Sequence, residues 1–136
     1  MSRLLRHRAS DARGAAAVEF ALLLPVLIML VFGIVQFSLA YNRQQGLHAA
    51  AREGARLASL PTSSKTQVVA RVNDALEGVS FPSPPTVGVT PDLTFPCQDR
   101  PGLTVVVTVT GATDLDVPLW NAELITLTGR GEFRCE

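Results

Sequence analysis

The chain is poor in the residues that do chemistry. It holds two histidines, two cysteines, one tryptophan and one tyrosine, and its only lysine is Lys65. Twelve basic residues balance twelve acidic ones. With no net positive charge, no basic cluster beyond the first 14 residues and six Phe beside the single Trp and Tyr, the chain lacks the footprint of a nucleic-acid binder. No glycine-rich loop ends in Gly-Lys-Ser or Gly-Lys-Thr, so a nucleotide-driven motor is excluded and any energy for assembly must come from another protein. No Asn-X-Ser/Thr acceptor occurs. Asp92, Asp99, Asp114 and Asp116 lack the spacing of a calcium loop and read as turn residues. His48 stands alone on a helix, without a cysteine or paired acid near it, and reads as a solvated side chain. These absences predict no catalytic residue, no cofactor and no metal. The chain is not expected to be an enzyme.

What is present is one long apolar run. Residues 20–41 form 22 consecutive positions without a formal charge, and the first 16 are apolar except for Pro25 and Gly33. About 20 such residues cross the hydrocarbon core of a bilayer as a helix. The flanks set its direction: Arg3, Arg6, Arg8 and Arg13 precede the run against Asp11 alone, whereas Arg43, Arg52 and Arg56 follow it. The excess of basic residues is modest but keeps residues 1–14 cytoplasmic. Cys97 and Cys135 both lie beyond the run, where an oxidising exterior would let them pair. Two buried free thiols are the alternative. Pairing would close a loop of 38 positions, which the chain-entropy model values at roughly 4 kcal/mol.

The expected organisation is a basic cytoplasmic leader at 1–14, a transmembrane helix at 15–41, an exposed continuation of that helix at 42–60 and a small extracytoplasmic α+β domain at 61–136. No proline or turn cluster interrupts the pattern between Tyr41 and Pro61, so the helix should leave the membrane unbroken, bent where Pro25 removes one hydrogen bond. Gly46, Ala50, Gly54 and Ala58 recur every four residues along it. Small residues at that spacing allow close helix packing. Two uses remain open for this stripe: contact with other subunits, or a seat for the chain's own domain. A second helix is expected over residues 63–77, capped by Thr62 or Ser63, stopped by Gly78 and covering a sheet. Strands are expected at 86–90, 103–110 and 123–128, with a shorter one at 132–135. Alternation of Val and Thr in the second of these predicts an antiparallel sheet with one wet face. Gly129 and Gly131 around Arg130 read as a bulge or tight turn, and Trp120 beside Pro118 and Leu119 as a core or loop anchor.

One further cluster stands at the entry to the apolar run. Arg13-Gly14-Ala15-Ala16-Ala17-Val18-Glu19-Phe20 sets a basic-glycine pair five residues before a single carboxylate. A carboxylate in a membrane span costs roughly 2.5 to 3.5 kcal/mol at the helix centre and less near its end, so it calls for a partner or a purpose. Glu19 could also simply reach the interface with its side chain.

Residues 14–25, GAAAVEFALLLP, and residues 50–56, AAREGAR, resemble the two sequence motifs of the TadE-like family, minor pilins or pseudopilins of tight-adherence pilus systems. The closing pattern ITLTGRG at 125–131 is also similar. The resemblance implies cleavage between Gly14 and Ala15 by a membrane prepilin peptidase. It further implies subunit assembly through the first turns of the mature helix, with Phe20 and Pro25 in the same motif and Glu19 engaging the new amino terminus, Ala15, of a neighbour. An α-amino group titrates near roughly 7.7 to 8 and is mostly cationic at neutral pH. Because desolvation offsets much of the attraction, such a pair acts as a register device more than as a stabiliser. Alanine at the first mature position departs from the large aromatic residue of type IV pilins, which bears on amino-terminal methylation. The partners implied are other pilin subunits, the peptidase, membrane lipid and an inner-membrane platform with a separate ATPase. The location implied is a single-pass membrane protein with its C-terminal domain outside the cytoplasm, or a place in an extracellular pilus. Two alternatives remain: an assembly factor that never leaves the bilayer, and a soluble binding domain released by signal peptidase after Ser38-Leu39-Ala40.

Overall fold

The computed structural model describes residues 4–115 and 123–136, with side chains described for 14–115 and 124–136. Pro118, Leu119 and Trp120, read as an anchor, and Asp116 lie outside the described residues. The fold is α+β: helix α1 (Leu4–Ala58), helix α2 (Lys65–Ala75) and strands β1 (Thr86–Thr90), β2 (Thr104–Leu115) and β3 (Glu123–Arg134). The strands form one antiparallel sheet in the order β1-β2-β3.

α1 has 55 residues, about 82 Å at 1.5 Å per residue. It starts before Gly14, because no proline or paired glycine breaks the leader, and it passes through Pro25. Its end is marked by Pro61, whose ring cannot continue the hydrogen-bond ladder. α2 is two residues shorter at each end than the sequence pattern suggests, and its cap is Ser64. The Ser64 hydroxyl accepts from the Gln67 backbone N–H (3.3 Å), and the Gln67 side-chain oxygen accepts from the Ser64 N–H (2.9 Å). This reciprocal pair satisfies two of the orphan donors at the helix start. Gly78 follows with φ +92°, a backbone conformation suited to glycine.

The sheet shows the alternation that its sequence carries. In β2, Val105, Val107, Val109, Gly111 and Thr113 are buried, while the residues between them face outward. β1 matches its expected bounds, but β2 continues to Leu115 and β3 is one strand of 12 residues instead of two pieces. Asp114 therefore belongs to a strand and not to a turn, whereas Asp99 does take a positive φ of 57° in the loop before β2.

The inner face of the sheet lies chiefly on the last third of α1, with α2 crossing beside it. Leu47, Ala50, Ala51, Ala55 and Ala58 of α1 meet Val68 and Val72 of α2 and the three β2 valines in one core. Cys97 and Cys135 close this core as a disulfide with Cα atoms 5.3 Å apart. The Glu136 N–H donates to the Ser59 carbonyl (3.1 Å), tying the C-terminus to the end of α1.

Candidate functional site

α1 divides into two halves with opposite surroundings. From Gly14 to Leu27 every residue is exposed, and large apolar side chains remain exposed as far as Tyr41. Phe20, Leu22, Val26, Ile34 and Phe37 lie on different sides of the helix, so the apolar surface encircles it. A helix apolar all round is stable only inside lipid or among other helices. Among the described residues this is the single helix long and apolar enough to cross a membrane.

The residues read from the opening motif lie on this bare half. Gly14 has open space where a side chain would project, and Ala15, Glu19, Phe20 and Pro25 are exposed. Ala15 and Glu19 are four residues apart and share one helix face. Glu19 makes no ion pair among the described residues, where the pairs are Lys65–Asp92, Arg71–Glu53 (3.6 Å) and Arg130–Glu132 (2.6 Å).

The small-residue stripe lies on the other half and faces the chain's own domain. A methyl group at Gly46 would meet Val79 Cγ2 at 3.1 Å; one at Gly54 would meet Val72 Cγ2 at 2.5 Å and Val107 Cγ1 at 3.3 Å. Ala50 and Ala58 are fully buried. Of the two uses open for the stripe, the structure shows the seat for the domain.

Gly129 and Gly131 are neither bulge nor turn, since they pair in register with Val109 and Val107. They mark the place where the α1 backbone presses on β3. A methyl group at Gly129 would lie 2.6 Å from the His48 nitrogen and nearer still to the Leu47 carbonyl; one at Gly131 would lie 2.7 Å from the Arg52 nitrogen and against the Ala51 carbonyl oxygen. Glycine in a strand interior commonly signals such an approach. Nothing local in the sequence distinguishes it from a bulge.

His48 is also more than a solvated side chain. Its Nδ1 accepts from the Arg130 N–H (3.4 Å), and the Gln44 amide, 2.9 Å from His48 Nε2, donates to the Thr128 carbonyl (2.9 Å). Nearer the apolar half, the Arg43 guanidinium donates to the hydroxyl of fully buried Thr113. Arg43, Gln44 and His48 thus stitch α1 to the sheet.

A concavity of about 550 Å³ opens at the far end of α1 and is lined by Glu53, Arg56, Ser59, Leu60, Arg71 and Phe133 among others. Of its polar lining, the Ser59 hydroxyl donates to the Arg56 carbonyl (2.8 Å) and Glu53 pairs with Arg71 (3.6 Å). Among the described residues no three His, Cys, Asp or Glu side chains converge to hold a metal.

No curated protein and no solved structure matches the chain. A family model described as TadE-like protein matches residues 14–56. That stretch begins at the glycine of the opening motif, ends at the arginine of the second motif, and spans the bare half of α1 together with most of the half that carries the domain. The TadE-like family is a pilin-type structural family rather than an enzyme class. Residues 14–56, the helix that everything else is built upon, are thus the part of this chain that is similar to the TadE-like family.

Proposed function

We propose that the chain is a minor pilin or pseudopilin subunit of a tight-adherence pilus, trimmed between Gly14 and Ala15 and assembled through the apolar half of α1. The observation that supports this most directly is the bareness of that half: every residue from Gly14 to Leu27 is exposed, and large apolar side chains face outward as far as Tyr41. Such a helix suits lipid before assembly and neighbouring helices after it. Cutting after Gly14 removes four arginines and frees the Ala15 amine. In a stack of helices, that amine meets Glu19 of a neighbouring subunit, and the carboxylate cannot stay buried without it. The leader lies in the cytoplasm and the folded domain outside it. The prepilin peptidase, a platform protein and a separate ATPase are the implied partners.

Intact mass of the protein recovered from membranes tests the reading, because the candidate products start at Met1, Ala15 or Tyr41. A chain starting at Ala15 is expected. Gly14→Val should block trimming, and a mature-sized product from that variant would reject the cut. Glu19→Ala should leave trimming intact and abolish incorporation; normal fibres from it would reject the pairing role.

One observation favours the released-domain alternative. The side-chain hydrogen bonds between α1 and the sheet begin at Arg43 and the buried core at Leu47, so a cut after Ala40 would leave both in place. A product starting at Tyr41 would establish that reading. The membrane-resident assembly factor differs from the fibre subunit in location rather than mass, and fractionation of sheared pili separates the two.

A further inference from the structure

We propose that the ends of β2 and β3 nearest the apolar helix rest on the outer leaflet of the bilayer, with Leu124 seated at headgroup level, so that the span ends near Gln36 and not at Tyr41. The inference rests on membrane insertion of α1 and concerns where the bilayer stops.

The depth follows from the register between β3 and α1. Gly129 lies against Leu47 and His48, and Gly131 against Ala51 and Arg52. Two strand residues, about 6.6 Å at 3.3 Å each, therefore keep pace with four helix residues, about 6 Å at 1.5 Å each. β3 runs nearly along α1 and in the same direction. Gln44 on the Thr128 carbonyl continues the match, and the long Arg43 side chain reaches about one turn toward the membrane to Thr113, whose strand partner is Ile125. Leu124 precedes Gly129 by five positions, or about 16 Å of strand. That places it level with a helix residue near Gln36. Gln36 and Ala40 are half-buried and lie on the same helical face as Arg43, Gln44 and Leu47, whereas Phe37 and Leu39 are exposed.

The sheet therefore descends alongside the last turns of the uncharged run. Its outward face at that level carries Leu124, 67% exposed, directly beside its strand partner Asp114, which is also exposed. If hydrocarbon reached Tyr41, Asp114 would be immersed at a cost of up to roughly 2.5 to 3.5 kcal/mol. If the bilayer ended well before Gln36, Leu124 and the stacked Phe37 and Tyr41 rings, 6.4 Å apart, would all stand in water. A boundary at Gln36 satisfies both. Leu124 then meets the headgroup region, Asp114 stays hydrated, and Tyr41 lies in the zone where such rings concentrate. Residues 15–35 span about 31 Å as a helix, against about 30 Å of hydrocarbon. The same shift draws Glu19 about one helical turn inside the opposite surface.

The test uses the full-length chain in phosphatidylcholine vesicles, with a nitroxide on one introduced cysteine at a time: Leu124→Cys, Thr126→Cys, Thr128→Cys, Arg130→Cys and, in the span, Ile28→Cys. The first four positions all face outward along β3. Collisions with oxygen and with a water-soluble nickel chelate report depth. Expected are an oxygen-dominated signal at Ile28→Cys and a stepwise loss of chelate collisions from Arg130→Cys down to Leu124→Cys. If Leu124→Cys meets the chelate as often as Arg130→Cys while Ile28→Cys remains in lipid, the seat is overturned and the span survives. If Ile28→Cys itself is aqueous, insertion fails and the inference falls with it. Shielding of Leu124→Cys that grows with the protein-to-lipid ratio would assign this face to a second copy and also overturn the proposal.

Discussion

Adding one methyl group at Gly131 should loosen the whole domain. In Gly131→Ala the new Cβ would stand 2.7 Å from the Arg52 nitrogen and closer to the Ala51 carbonyl. Those atoms belong to a helix backbone and cannot rotate away. Restoring ordinary contact requires β3 to retreat by about 1 Å, and β2 is hydrogen-bonded to it along 12 residue pairs. The buried faces of Val105, Val107 and Val109 would move with it. Overpacking of this kind costs about 1 to 3 kcal/mol, while replacing glycine by alanine returns about 0.4 to 1 kcal/mol through the unfolded chain. A net loss of about 1 to 2 kcal/mol is expected, and the same for Gly129→Ala. The double variant should lose less than the sum, because a strand displaced for one methyl already clears space for the other. Gly88→Ala is the control: its nearest obstacle is the Thr108 carbonyl at 3.8 Å, so its effect should stay within about 0.5 kcal/mol. Urea unfolding in detergent micelles, followed by amide exchange in β2 and β3, gives the midpoints. Equal midpoints for Gly131→Ala, Gly88→Ala and the parent would refute the reasoning that close backbone approach holds the sheet on α1.

The remaining predictions concern the two other fastenings of the domain. Replacing Cys97 and Cys135 together by serine should cost about 4 kcal/mol, since their bond closes a separation of 38 residues; unfolding with and without reductant checks this, and an unchanged midpoint contradicts it. Ser64→Ala should cost about 1 kcal/mol by removing the acceptor at the start of α2, with faster amide exchange confined to that helix. Ser64→Thr should keep most of the protection, and equal loss in both variants would point away from the cap.

Much of the architecture was legible in the sequence because it rests on local patterns. The uncharged run at 20–41, the absence of a breaker before Pro61 and the Val-Thr alternation of β2 each carry their own period. The antiparallel sheet with one wet face followed from that alternation, and β1 from its β-branched residues. What escaped notice depends on contacts between distant parts of the chain. Gly129 and Gly131 look like strand breakers until α1 is placed against them, after which they explain why β3 continues through to Arg134. His48 has no cysteine or acid beside it in sequence, yet it accepts from the Arg130 N–H 82 positions away. The stripe from Gly46 to Ala58 was ambiguous for the same reason, since small residues specify close approach without saying to what. The motif residues Gly14, Ala15 and Glu19 were visible in sequence, but the pairing proposed for them involves a second molecule, and one chain's contacts leave them exposed.

Because α1 runs without a linker from its apolar half into the centre of the domain, the two halves turn as one body. A head that was joined by a flexible tether could swivel to meet its surroundings; this one inherits its azimuth and lean from the rod beneath it. Inserting glycines between Tyr41 and Arg43 would uncouple them, and torque applied at the base would no longer reach the sheet.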